Sequence, residues 1–97
     1  MDIKRAYHII DQIPPLMRMR YSMAQFVVKS NGVHCHAYRK WKAVKLEIVV
    51  EEDGSYTVKR WLISRKGKRR ALHVKVAYEV GGVYAETLPA AIDEVMG

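Results

Sequence analysis

Arg65-Lys66-Gly67-Lys68-Arg69-Arg70 sets five cations around one glycine. Arginine forks grip phosphate oxygens two at a time, so a loop of this composition suits a polyanion backbone. Arg39-Lys40-Trp41-Lys42 repeats the cationic theme and adds an indole, while Lys45, Lys59, Trp61 and Lys75 continue it at strand-like spacing. Rings stack on bases and ammonium groups neutralise phosphate, which is the chemistry of single-stranded nucleic-acid binding. His34-Cys35-His36 is a third candidate, because i, i+2 spacing on a strand puts both imidazoles on one face, as a metal pair requires.

The last pattern resembles the His-hydrophobic-His element of rolling-circle nucleases. That resemblance implies a divalent ion on the two histidines and a tyrosine that attacks the phosphodiester. The chain departs from it in two respects. Tyr7 is the one tyrosine in a segment read as helix, and it falls on that helix's apolar face. Lys29, Lys40 and Lys42 flank the histidine pair, where a cation would be repelled. The reading therefore assigns no metal to His34 and His36 and keeps a metal-dependent nuclease as an alternative. There is no P-loop, no G-x-G-x-x-G and no C-x-x-C, so no cofactor is expected.

Charge supports the first two candidates. Seventeen Lys and Arg against ten Asp and Glu give a net charge of +7. Residues 18–75 hold fifteen of the bases and four of the acids, whereas residues 76–97 carry only Glu79, Glu86, Asp93 and Glu94. A basic stretch inside a compact fold is an electrostatic footprint for a polyanion. The single cysteine excludes an intrachain disulfide and suits a reducing, cytoplasmic setting. No apolar run approaches the roughly 20 residues that cross a bilayer, and no signal-peptide pattern opens the chain, so no membrane partner is expected.

These residues must be positioned by a single domain, since 97 residues leave no room for two. The pattern predicts a helix over 2–13, capped by Asp2, with Ile3, Ala6, Tyr7, Ile10 and Ile13 on its inner face. Residues 17–30 alternate apolar and polar and are read as a strand, followed by an Asn31-Gly32 hairpin and a strand over 33–41. A bulge or bend near Trp41–Ala43 is expected where the apolar phase switches. A three-residue loop at 52–54 pairs Val44 with Leu62 and Ile48 with Val58, and sets Glu47 opposite Lys59. A loop at 66–68 then places Trp61 opposite His73, aligns Leu72, Val74, Val76 and Tyr78 with the core, and leaves Lys75 on the outer face. Gly81-Gly82 is read as another hairpin leading to a strand at 83–87, and Pro89 as the first turn of a last helix with Leu88, Ala91, Ile92 and Val95 inward.

The expected class is α+β: a curved antiparallel meander of five or six strands with a short helix at each end. The function expected from it is binding of nucleic acid, a single strand favoured, by the cationic aromatic sheet face and the basic hairpin loop. The rivals are a protein-interaction module, such as a viral or accessory inhibitor of an acidic partner, and the nuclease above. A homodimer is expected because so short a chain has a thin core, with Met17, Met19, Tyr21 and Met23 as its contact.

Overall fold

The computed structural model describes residues 3–66 and 71–97, with side chains described for 3–63 and 74–97. Five antiparallel strands form one sheet in sequence order: β1 (Ala24–Val28), β2 (Gly32–Arg39), β3 (Lys42–Val50), β4 (Tyr56–Lys66) and β5 (Ala71–Val83). Two short helices, α1 (Ile3–Asp11) and α2 (Pro15–Arg20), precede the sheet, and α3 (Leu88–Met96) follows it. The class is the expected one, with five strands.

Burial alternates along the strands as a one-sided sheet requires. Val33, Cys35 and Ala37 of β2, Val44, Leu46 and Ile48 of β3, and Tyr56 and Val58 of β4 are buried against the helices. Ala6, Ile9 and Ile13 close the core from the N-terminal side, and Leu88, Ile92 and Val95 from α3. The last helix forms as its residues dictate, with Pro89 in the first turn and Leu88, Ala91, Ile92 and Val95 inward. On α1 the inner face is rotated from the expected one: Ile9 is buried, whereas Ile3 and Tyr7 are 60% and 59% exposed. The expected Asp2 cap lies outside the described residues.

The 17–30 strand is corrected to α2 followed by the short β1. Pro14 stays extended while Pro15 opens the helix, a position where its missing N–H costs nothing. The Arg18 guanidinium then donates to the Ile10 and Ile13 carbonyls at 2.8 and 3.1 Å, satisfying the exposed end of α1. Met17 is thereby buried, Met23 packs on the core and the Tyr21 hydroxyl donates to Asp93 at 2.7 Å. Of the methionine-rich set suggested for a dimer contact, Met19 alone remains widely exposed, at 75%.

The first hairpin turns one residue earlier than expected. Val28 pairs with Val33, the Lys29 amide donates to the Gly32 carbonyl at 2.8 Å, and Gly32 itself belongs to β2. Its lack of a side chain is required there: a Cβ would stand 2.1 Å from the Ile48 carbonyl oxygen. Between β3 and β4 the register is the expected one, with Val44 on Leu62, Ile48 on Val58 and Glu47 on Lys59. The β4–β5 register is not. Trp61 pairs with Val76 rather than His73, and Leu62 with Lys75, so Lys75 shares Leu62's face while Val74 and Val76 lie on the outer one. A bulge between Arg60 and Trp61 restores the phase, so that Tyr78 joins Arg60 and Val80 joins Val58 on the helix side. Gly81-Gly82 is a second irregularity within β5, and residues 85–87 form a 3-10 turn, in place of the expected hairpin and strand.

Candidate nucleic-acid interface

The outer sheet face carries a period-two column along β2: His34 half-buried, His36 exposed, Tyr38 exposed. The chain then reverses at Lys40-Trp41, since Arg39 pairs directly with Lys42. The expected bend near Trp41–Ala43 is therefore a complete two-residue hairpin. Its central φ values are +49° and +70°, the left-handed pair that such a tight turn demands. Asn-Gly tolerates this geometry; lysine and tryptophan do not, at a cost of roughly 1–2 kcal/mol each. Trp41 is also 99% exposed, so the indole recovers nothing by packing.

A cleft of about 440 Å³ opens beside this tip, lined by Arg20, Ser22, Tyr38, Lys40 and Trp41. The strand end and the α2 end meet there because the Tyr38 amide donates to the Tyr21 carbonyl at 2.7 Å. A smaller cleft of about 220 Å³, lined by Gln25, His36 and Ala43 among others, adjoins it through Ser22 and Tyr38. Arg20 is drawn partly aside by Asp93 at 3.4 Å, yet both side chains remain well exposed. Arg39 is turned away, donating to the Gly97 carbonyl at 2.9 Å.

Further along the face, Glu47 is 4% exposed although it points away from the helices. Lys29 and the Trp61 indole both donate to it, the latter at 2.9 Å, and Lys45 lies over the Trp61 ring, 5.6 Å from its centre. Burial alone would raise the Glu47 carboxyl. Those two hydrogen bonds, with the charges of Lys29 and Lys45, outweigh it and hold the group below its ordinary value. His34, opposite Glu47 in the ladder, is pushed the other way: burial, then Lys45 and Lys29, lower its pKa. Its Nδ1 is buried without a partner. Among the described residues no three His, Cys, Asp or Glu are grouped to hold a metal ion.

Trp61 is thus an indole already engaged, with Lys45 on one ring face and Glu47 on its N–H. Lys45 and Lys59 share its face of the sheet, and Lys75 does not. Lys40, Trp41 and Lys42 are exposed at the hairpin. Side chains of Arg65 and Lys66, and all of Lys68, Arg69 and Arg70, lie outside the described residues. The backbone still fixes a relation that the linear sequence hides. Antiparallel pairing carries β4 past Val44 towards Lys66, so the β4–β5 ribbon ends at the same end of the sheet as the Lys40-Trp41 tip. Arg20, Ser22 and Tyr38 had no place in the sequence-based site. The period-two run His34, His36, Tyr38 points to the last of these; the helix that delivers Arg20 stands where the strand over 17–30 was expected to begin.

No described helix is long and apolar enough to cross a membrane. Comparison with protein-family models, curated proteins and solved structures finds no match to this chain.

Proposed function

We propose that this protein binds single-stranded nucleic acid through the outer sheet face and its Lys40-Trp41 end. The observation that carries the reading is a fully exposed tryptophan at a cationic hairpin tip, held there at positive φ against its own backbone preference. An aromatic platform ringed by cations serves a polymer whose bases are free to stack and whose phosphates need neutralising. Tyr38 and His36 extend the platform along β2, and Lys45 and Lys59 flank it on β3 and β4. A single buried thiol, its pKa pushed up to about 12 by burial, fits a cytoplasmic protein that uses no cysteine chemistry.

The test is the affinity of labelled single-stranded DNA, single-stranded RNA and duplex, followed by anisotropy over a salt series. Single strands should bind more tightly than duplex, and log K should fall with log salt by about 0.7 per phosphate neutralised. Binding to an acidic protein but to no polynucleotide would replace this reading by the interaction-module alternative.

A further inference from the structure

We infer that the cleft between α2 and the β2–β3 hairpin is a seat for one unpaired nucleotide, its base on Trp41 and Tyr38 and its phosphate on Lys40 and Arg20. The inference rests on the nucleic-acid reading and deepens it by naming the unit that is held.

Backbone strain points to the place. Among the described residues, four other than glycine have positive φ: Ser22 (+49°), Gln25 (+57°), Lys40 (+49°) and Trp41 (+70°). Ser22, Lys40 and Trp41 line the larger cleft, and Gln25 lines the one adjoining it. Left-handed conformations at ordinary side chains are costly and concentrate where the fold holds a functional geometry. These four come from two stretches of chain, 22–25 and 40–41, and they meet at two adjoining clefts.

The lining is that of a nucleotide site. It offers two aromatic rings, 53% and 99% exposed, and two cations, with no carboxylate among the lining residues. The volume, about 440 Å³, falls within the range of small-ligand sites, roughly 300–1,000 Å³. The long Arg20–Asp93 contact, 3.4 Å between exposed groups, is one that a phosphate can displace. A paired base has both faces stacked on neighbours and its edge occupied, so it cannot reach Trp41. The next nucleotide of a single strand continues over Tyr38 towards His36, where successive outward residues lie about 6.7 Å apart along the strand.

The probe is adenosine 5′-monophosphate, read on the Trp41 indole N–H resonance, which a Trp41→Phe variant distinguishes from that of Trp61. Adenosine, inorganic phosphate and a labelled single strand are run beside it. The mononucleotide should shift the Trp41 signal and compete with the strand, and adenosine and phosphate should each bind more weakly. Tyr38→Ala and Trp41→Ala should each weaken the strand by about 5- to 150-fold, the value of one stacked base. If the strand binds while the mononucleotide leaves Trp41 unmoved and Tyr38→Ala changes nothing, the seat is wrong and the broader reading stands. Phosphate binding as well as the mononucleotide would also overturn the seat, leaving a simple anion site. If neither strand nor mononucleotide binds, both inferences fall.

Discussion

At the scale of the residue, Lys40 and Trp41 are poor choices for the turn they occupy. Replacing them by the pair that such a turn favours, Lys40→Asn with Trp41→Gly, should relieve the left-handed strain and stabilise the fold by about 1 kcal/mol. For a domain of this size that raises Tm by roughly 4–8 °C. A calorimetric Tm at or below that of the native chain would show that the tip is not strained. Glu47 and His34 give a second prediction, through pH. The folded state holds the Glu47 carboxyl low, so its contribution is present above the ordinary carboxylate range and is lost as pH falls through the depressed value. His34 has a lowered pKa, so on acidification the unfolded chain takes up a proton near pH 6.5, its ordinary value, before the folded chain does. Stability should therefore start to fall just below about pH 6.5. His34→Ala should flatten that first decline and Glu47→Gln the later one, both visible in Tm against pH.

At the scale of the element, close approach and turn chemistry decide what the hydrophobic pattern leaves open. Gly32→Ala would drive a methyl group into the Ile48 carbonyl, where the nearest atoms are all β3 backbone rather than a flexible side chain that could give way. Urea denaturation should show a loss at the upper end of the roughly 1–3 kcal/mol typical of overpacking, and a neutral result would mean that β2 and β3 are not so closely apposed. The β3–β4 hairpin was legible in the sequence because alternation on both strands, a Gly at 54 and the Glu47–Lys59 pair all select one register. The β4–β5 register was not, because the bulge after Arg60 shifts the apolar phase by one, so that Val74 and Val76, which alternation alone turns inward with Tyr78, lie on the outer face. Residues 15–20 were illegible for a different reason. Met17 to Met23 fits both periods, and what makes the segment helical is Arg18 reaching back to carbonyls of α1, a contact no local pattern announces. The exposed cations and Trp41 could be read directly; Arg20 and Tyr38 enter the site only once the segments are folded together.

At the scale of the whole molecule, the sheet sets Lys45 and Lys59 on the face away from the helices and the exposed Lys40-Trp41 tip at its end. That face also carries Glu47 and, opposite Lys59, Glu79, while Arg60 and Lys75 lie on the helix side, so the proposed interface centres on the tip rather than on the whole sheet face. Attraction of a polyanion by exposed lysines weakens steeply with salt. The most direct test of the account is therefore the salt dependence of single-strand affinity, measured by anisotropy for the native chain and for Lys40→Asn/Trp41→Gly together. The account predicts that the native chain binds with a negative log–log slope. The variant, folded and more heat-resistant, should bind at least about 5-fold more weakly, by the loss of one stacked base, and with a slope shallower by about 0.7 for the lost lysine contact. Equal affinity and equal slope in the two proteins would contradict it.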